Sequence, residues 1–321
     1  MTVLACDVGG SRIKLGVVGG GRILASDVIP ADSQLGLAQA LPRIALAFDR
    51  LQAESGVQVA DCCGIGMGFP ALVDSRRCKI LNEYGKYADA PQVDLSAWAA
   101  GTFDLPLAID NDARLALMGE WTHGAGRGSN NLAIITLGTG IGTAVVLEGR
   151  VLRGQHFSAG NLMGHSVVNM GGRECSCGVR GTVESETGSV HLEDRARRVP
   201  GFDESALAQC DRVDYAAVCR AAASGDAVAV EVLRQASDIW GALCVNMIQA
   251  FDLDRVVIGG GVMESAEIVL PMIQGYVAEH AGTWWGTAEI LAAEHPRGMA
   301  LLGCEALVNE IHGQRDPRSN E

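Results

Sequence analysis

Three mainly apolar runs, in which half of the residues are β-branched, each lead directly into glycine. The runs are Val3–Val8, Leu132–Leu137 and Arg255–Ile258, and the residue after each run is a glycine that opens a cluster of two or more. Glycine lacks a Cβ, so a strand that ends in glycines can turn sharply and present backbone N–H groups to a ligand. The pattern therefore predicts several strand ends that carry tight turns or ligand loops.

Two of these places also resemble each other. The segments Asp7–Val18 and Thr136–Leu147 both read as a strand end, a turn of small residues and a second strand, and Gly9 of the first matches Gly138 of the second. Each segment predicts a β-hairpin with a glycine-rich turn, and the pair indicates two related half-molecules. The alternative is coincidence, because glycine turns between strands are common.

The remaining periodicity alternates between short strands and helices. Further strands are predicted at Ile13–Val18, Ile23–Ile29, Gly64–Phe69, Leu107–Ile109 and Thr143–Leu147. Helices are predicted at Leu35–Glu54, Asp112–Gly124, Glu204–Ala223, Ala227–Phe251 and Ala266–Ala281. This alternation favours an α/β fold with covered sheets, and 321 residues are enough for about two domains.

Charge and hydropathy exclude several classes of partner. Lys and Arg number 25 against 38 Asp and Glu, and the resulting net charge of −13 argues against nucleic-acid binding. The longest apolar stretch, Ile239–Phe251, is too short to span a bilayer. The first residues have no secretory signal pattern, so we expect a cytoplasmic protein whose ten cysteines are free thiols or metal ligands.

The glycine clusters are candidate phosphate loops. Asp7 precedes the first cluster and Lys14 follows it, while Thr139 adds a hydroxyl to the second. None of the clusters has the spacing GxxxxGK[ST] or GxGxxG, which disfavours a P-loop or a dinucleotide site. A purely structural turn is the alternative for any one cluster, but three clusters at strand ends favour a nucleotide.

Asp112 is the candidate catalytic residue. It stands at the start of a predicted helix, directly after an apolar strand, so it is either a helix-capping acid or a base for a substrate hydroxyl. Phosphoryl transfer depends mainly on positioning and charge neutralisation. One carboxylate that accepts the hydroxyl proton and another that holds Mg²⁺ are a sufficient set, and Asp112 and Asp7 fit these two roles.

A third group of residues has the composition of a zinc site. His165, Cys175 and Cys177 fall in one glycine-rich stretch, and imidazole and thiolate are the ligands of structural Zn²⁺. No fourth ligand is evident in the sequence. The alternative is a core histidine with free cytoplasmic thiols.

Taken in order along the chain, these blocks resemble the ROK family of bacterial sugar kinases and repressors. The matching blocks are Asp7-Val8-Gly9-Gly10-Ser11-Arg12-Ile13-Lys14, Gly64-Ile65-Gly66 with Pro70 and Asp74, Asn111-Asp112-Ala113, Leu137–Gly142, Gly164-His165 with Cys175-Ser176-Cys177-Gly178 and Glu184, and Ile258–Gly261. The resemblance implies a duplicated, actin-like ATPase fold of the ribonuclease H-like, hexokinase type, with two α/β domains and a central cleft. It also implies a homodimer and ATP-dependent phosphorylation of a hexose or modified hexose, with the C6 hydroxyl as the expected acceptor.

The resemblance also implies a role for each site residue. The ATP phosphates and Mg²⁺ would be held by Asp7, Gly9, Gly10, Ser11, Lys14, Gly138, Thr139, Gly140 and Gly142, and the adenosine would lie against Gly259, Gly260 and Gly261. Asp112 would be the catalytic base, and the sugar hydroxyls would bind Asn111, Asp112, His165 and Glu184. The zinc ligands would be His165, Cys175 and Cys177.

The domain boundaries follow from the same comparison. We predict a small N-terminal α/β domain over residues 1–110, completed by a C-terminal helix at about 301–321. The large α/β domain is predicted over 111–300, with the zinc segment at 164–184. The matching blocks begin at Asp7, so we do not expect the DNA-binding domain that precedes them in the family's repressors.

The chain departs from the family pattern at three places. Thr182 stands where a third cysteine is usual, which leaves the fourth zinc ligand open. The position of a usual sugar-binding Glu holds Leu162 or Asn161, depending on the alignment, and Arg114 replaces a usual Asn. Loss of a carboxylate acceptor changes which hydroxyls can be bound, which puts ordinary glucose specificity in doubt. A weakly catalytic sugar-binding sensor is the alternative to a kinase.

Overall fold

The computed structural model describes residues 1–82, 85–282, 286–296 and 298–315, with side chains as far as residue 311. The strands are β1 (Thr2–Val8), β2 (Arg12–Gly19), β3 (Arg22–Pro30), β4 (Cys62–Phe69), β5 (Val73–Asp74), β6 (Lys79–Ile80), β7 (Leu107–Asn111), β8 (Leu132–Leu137), β9 (Ile141–Leu147), β10 (Arg150–Val151), β11 (Arg255–Gly259) and β12 (Glu289–Ala292). The helices are α1 (Leu37–Ser55), α2 (Leu95–Phe103), α3 (Asp112–His123), α4 (Val183–Thr187), α5 (Leu192–Ala196), α6 (Tyr215–Ala223), α7 (Ala227–Phe251), α8 (Ala266–His280) and α9 (Met299–Arg315).

The chain forms two compact units. Unit 1 contains residues 1–128 and 153–159 with the described residues from 298 to 315, and unit 2 contains 129–152 with the described residues from 160 to 296. The predicted small domain ended at residue 110, and the domain boundaries stay a prediction. Residues 316–321 of the predicted C-terminal helix lie outside the described residues.

Within the described residues, each unit has a five-stranded sheet of the same topology. The order is β3-β2-β1-β4-β7 in unit 1 and β10-β9-β8-β11-β12 in unit 2. In both sheets two antiparallel pairings are followed by two parallel ones. The hairpins β1-β2 and β8-β9 are the two segments that the sequence repeat predicted. The predicted duplicated α/β architecture is therefore confirmed.

Each sheet is covered by apolar helix faces. In unit 1, α1 buries Leu37, Leu41, Ile44, Phe48 and Leu51, which lie three or four residues apart and so share one face of the helix. In unit 2, the 25-residue helix α7 buries a row of side chains that includes fully buried Trp240.

Several helices begin at an aspartate that caps the first turn. Asp94, Asp214 and Asp226 each accept a hydrogen bond from the backbone N–H three residues later, at 2.8–2.9 Å. Asp226 also binds Ser205 Oγ and the Ala206 N–H. These caps define the starts of α2, α6 and α7.

The predicted helix at Glu204–Ala223 was wrong over its first half. Only Tyr215–Ala223 is α-helical, because Asp214 caps the helix there and the preceding residues form short 3₁₀ turns held by Asp226. The other predicted helices and strands are present, with ends that differ by a few residues. Among the described helices, none combines the length and the apolar character that a bilayer crossing requires.

Helix α9 packs on α3 through two glycines. A side chain at Gly119 of α3 would collide with the Met299 carbonyl, and one at Gly303 of α9 would collide with the Leu115 carbonyl. The two backbones approach this closely only because neither position has a Cβ. Glycine is otherwise unfavourable inside a helix, so its presence here reflects packing.

The packing predicts opposite effects for two Gly-to-Ala changes in unit 1. Gly303→Ala should lower the free energy of unfolding by about 2 kcal/mol or more, because the methyl group forces α9 away from α3. Gly101→Ala, on the open side of α2, should raise it by up to about 1 kcal/mol through helix propensity. Urea denaturation of both variants measures the difference, and a stabilising Gly303→Ala would contradict this packing.

Candidate functional site

The carboxyl ends of three parallel strands meet at one edge of the unit 1 sheet. Strands β1, β4 and β7 lie side by side, with Asp7 paired to Gly68 and Gly68 paired to Asp110. Helix α3 starts directly after β7, which brings Asp112 to the same edge. The strand order thus gathers the two predicted functional acids, Asp7 and Asp112.

Gly68 lies beside both acids. A Cβ at this position would lie 2.9 Å from Leu115 Cδ1, 3.5 Å from Asp7 Oδ1 and 3.6 Å from the Cα of Asp112. Asp7 and the start of α3 are therefore neighbours of the same glycine, and the negative charge of Asp7 acts on the Asp112 carboxyl group.

Asp112 lies in the first turn of α3 and is not the helix cap. The cap is Asn111, whose Oδ1 accepts from the N–H groups of Ala113 at 2.9 Å and Arg114 at 3.3 Å. Burial and the negative charge of Asp7 raise the pKa of Asp112 to about 7, although the Ala113 N–H donates to its Oδ1. A carboxyl group with this pKa can both accept and release a proton near neutrality.

A buried ionic network holds the end of β7. Asp110 Oδ1 pairs with Arg114 at 3.1 Å and its Oδ2 pairs with Arg153 at 2.8 Å, and Asp110 and Arg114 are inaccessible to solvent. Arg153 also contacts both carboxylate oxygens of Glu310 on α9, at 3.1 and 3.0 Å. Arg114, which replaces the usual Asn, therefore pairs with the residue just before Asn111 and Asp112.

The turn from Asp7 to Lys14 is fixed by its carbonyl groups. The Gly9 carbonyl accepts from Tyr87 Oη at 3.0 Å, and the Gly10 carbonyl accepts from Ser33 Oγ at 3.0 Å. Within the described residues, the N–H groups of Gly10 and Ser11 have no acceptor. A turn whose carbonyls are engaged and whose N–H groups are available suits an anion.

One positive and one negative side chain lie beside this turn. Lys14 Nζ lies 3.2 Å from Asp7 Oδ2, which places a cation and an anion at the turn. The predicted group of Asp7, Gly9, Gly10, Ser11, Lys14, Asn111 and Asp112 is therefore gathered within unit 1.

Unit 2 gathers a second group around the Gly138–Gly142 turn. Glu184 Oε2 accepts from the Ile141 N–H at 2.9 Å, and a side chain at Gly140 would come within 2.5 Å of that oxygen. Gly260 has a φ of +91° and would bring a Cβ within 2.6 Å of the Leu137 nitrogen, so both backbone conformation and contact require glycine. The Gly138, Glu184 and Gly259 segments are thereby adjacent.

His165 and the two cysteines also lie together in unit 2. Their ligand atoms are all within 4.8 Å of one another, and His165 Nδ1 is 3.5 Å from Cys175 Sγ. Zn²⁺ about 2.0 Å from nitrogen and about 2.3 Å from sulfur needs ligand atoms about 3.5 Å apart, so small side-chain shifts would suffice. The three residues fit such an ion.

Thr182 stands beside this cluster as a helix cap. Its hydroxyl accepts from the Ser185 N–H at 3.1 Å and starts α4. Burial would raise the pKa of Cys175, but hydrogen bonds from the Cys177 N–H, the Thr182 hydroxyl and His165 together lower it to about 7. The neutral Thr182 hydroxyl hydrogen-bonds the Cys175 sulfur but is a poor metal ligand.

The segment before His165 supplies no carboxylate. Asn161 is buried and donates through Nδ2 to the Thr143 carbonyl at 2.8 Å, while Leu162 is exposed. The sequence contains no Asp or Glu between Glu148 and Glu174. Neither alignment of the departure at 161 or 162 therefore restores the usual Glu.

Sequence reasoning missed several residues that support the site. Tyr87 and Ser33 fix the first glycine turn from distant parts of the chain, and Arg153 and Glu310 complete the network at Asp110. These contacts have no local pattern. Gly68 had a usable signal, since an isolated glycine inside a strand indicates a close approach of other groups.

Comparisons with known proteins identify the family of this chain. The ROK family model matches residues 3–311. A glucokinase from Halalkalibacterium halodurans is 32% identical over 288 residues, which are 86% of this chain and 84% of the relative.

Solved structures resemble the chain over nearly its whole length. A ROK hexokinase from Thermus thermophilus is 30% identical with a TM-score of 0.76, covering 98% of this chain and 99% of its own. A ROK family glucokinase from Streptomyces griseus, solved in complex with glucose and AMPPNP, is 27% identical with a TM-score of 0.81, covering 97% and 100%. With its duplicated actin-like fold and a family match that covers residues 3–311, the chain belongs to the ROK family.

Proposed function

We propose that this protein is an ATP-dependent kinase that phosphorylates a hexose or modified hexose at its C6 hydroxyl. The observation that carries the proposal is the placement of Asp7 and Asp112 at one edge of the unit 1 sheet, where burial and the negative charge of Asp7 raise the pKa of Asp112 to about 7. The kinase relatives support the same reaction class.

Asp112 acts as the general base. Its carboxylate accepts the proton of the sugar hydroxyl while the hydroxyl oxygen forms a bond to the γ-phosphorus. The bond from phosphorus to the bridging oxygen breaks, and ADP leaves with that electron pair. A base whose pKa is near the working pH is efficient in both accepting and later releasing the proton.

Asp7 and the first glycine turn would bind Mg²⁺ and the ATP phosphates. Asp7 would hold Mg²⁺, which neutralises phosphate charge when bound. The N–H groups of Gly10 and Ser11, together with Lys14, would bind phosphate oxygens. The carbonyl oxygens of Gly9 and Gly10 accept hydrogen bonds from Tyr87 and Ser33, so they are directed at those side chains.

We propose functional residues in unit 2 as well. Gly138, Thr139, Gly140 and Gly142 would bind phosphates, and Gly259–Gly261 would lie against adenosine. Asn111, His165 and Glu184 would each bind sugar hydroxyls. Glu184 already uses Oε2 for the Ile141 N–H, so its Oε1 would be the sugar acceptor.

The missing carboxylate favours a modified sugar. A Glu at the 161 or 162 position would accept hydrogen bonds from two hydroxyls, whereas Asn161 is committed to Thr143 and Leu162 is apolar. A sugar that carries a less polar substituent at one of these hydroxyls avoids an unpaired donor. We infer a homodimeric, cytoplasmic enzyme from the same family likeness.

A weakly catalytic sugar sensor is the second candidate, and the missing carboxylate is the observation that favours it. Retention of both Asp112 and Asp7, with the charge of Asp7 acting on Asp112, argues for catalysis. A turnover assay with a base variant separates the two.

Replacement of the base tests the proposed reaction. With Mg-ATP and a panel of hexoses, N-acetylhexosamines, aminoglucoses and inositols, the protein should release ADP with at least one sugar. Asp112→Asn should lower kcat by about 10²- to 10⁴-fold on that sugar, because no group remains to accept the proton. Asp49→Asn, at an exposed position of α1, is the matched control and should leave kcat unchanged. Sugar binding without turnover would indicate the sensor.

We also propose that His165, Cys175 and Cys177 hold a structural Zn²⁺. Purified protein should contain about one zinc per chain, and Cys175→Ser should lose it. Thr182→Cys should slow zinc release to a chromogenic chelator at least about tenfold, because a thiolate then replaces a neutral oxygen. Cys210→Ser, at an exposed cysteine outside the cluster, is the control. Full zinc content in Cys175→Ser would contradict the assignment.

A further inference from the structure

Lys86 lies against the first glycine turn. A Cβ at Gly10 would come within 2.6 Å of both Cδ and Cε of Lys86. The absence of a side chain at Gly10 therefore creates the position that Lys86 occupies. In the part of the chain that the structure describes, the N–H group of the same glycine has no acceptor, which suits phosphate.

The residue after Lys86 is firmly held. Tyr87 is fully buried, donates through Oη to the Gly9 carbonyl and donates its N–H to the Ser33 carbonyl at 3.0 Å. Its ring packs on Phe69 with a centroid distance of 5.5 Å. Tyr87 also adopts a left-handed φ of 55°, a conformation that is retained only when surrounding contacts enforce it. The backbone thus fixes Lys86 at the turn.

The charge of Lys86 is uncommitted within the described residues. The chain has three lysines, at 14, 79 and 86. Lys14 pairs with Asp7, whereas the described residues provide no carboxylate partner for Lys86. An exposed ammonium held over a phosphate-type turn, in a chain with a net charge of −13, is suited to an anion.

We propose that Lys86 is a further catalytic residue, which contacts the γ-phosphoryl group of ATP during its transfer. The inference rests on the proposed kinase function. Lys86 remains protonated throughout and exchanges no proton. Its charge stabilises the phosphoryl oxygens while the new bond to the sugar oxygen forms and the bond to ADP breaks.

Kinetics of a lysine variant test this role. Lys86→Met should lower kcat on the accepted sugar by about 10²-fold and change the KM for that sugar little, because the lost contact is with the transferred phosphoryl group and not with the sugar. Lys86→Arg should recover part of the rate, since it restores the charge. Lys79→Met, at an exposed lysine of β6, is the matched control.

A binding measurement keeps the test independent of turnover. Calorimetry should give Lys86→Met a selectivity for AMPPNP over ADP that is at least about tenfold lower than that of the unmodified protein, while Lys79→Met retains it. This readout holds even where no sugar is turned over, so failure of the kinase proposal is distinguishable. Unchanged selectivity and kcat would overturn the role of Lys86. A loss confined to the KM for the sugar would also overturn it and assign Lys86 to an anionic sugar substituent.

Discussion

Two like-charged carboxylates held next to each other are the constraint on which the site in unit 1 depends. Asp7 and the start of α3 lie on either side of Gly68. Burial, together with the negative charge of Asp7, raises the pKa of Asp112 to about 7, and Lys14 pairs with Asp7. Such an arrangement disfavours the folded state, so neighbouring structure must hold it. The buried network around Asp110 and the close packing of α9 on α3 provide that rigidity.

The duplicated fold contains two similar glycine turns whose contacts differ. Each unit has a hairpin whose glycine turn lies at the end of a central strand. In unit 1, Tyr87 and Ser33 bind the turn's carbonyls, whereas in unit 2 the turn donates an N–H to Glu184 and is packed against Gly260. The N–H groups of the first turn are therefore suited to an anion, while the second turn is joined to a carboxylate able to accept from a hydroxyl.

Local patterns predicted much of this arrangement. The glycine clusters, the acids at strand ends and the His and Cys group are each contained in a short segment of sequence. In unit 1, the parallel order of β1, β4 and β7 then brings the ends of these strands together. The failures arise where distant residues decide the outcome. Asp226 binds the segment before α6 and keeps it out of the helix predicted from Glu204. Arg114 pairs with Asp110 and donates to the Phe157 carbonyl, and no sequence spacing predicts the second contact. Thr182, which stands where the family usually has a third cysteine, also caps α4.

The most direct measurement of the central claim is the titration of Asp112 itself. Carbon-13 NMR of aspartate-labelled protein, with Asp112→Asn to assign the signal, should give the Asp112 carboxyl a pKa of about 7. Asp7→Asn should lower that pKa, because removal of the neighbouring negative charge makes ionisation easier. Asp112 would then be protonated below about pH 7 and a base above it. A value near 4 in the unmodified protein, or one that Asp7→Asn leaves unchanged, would contradict the account.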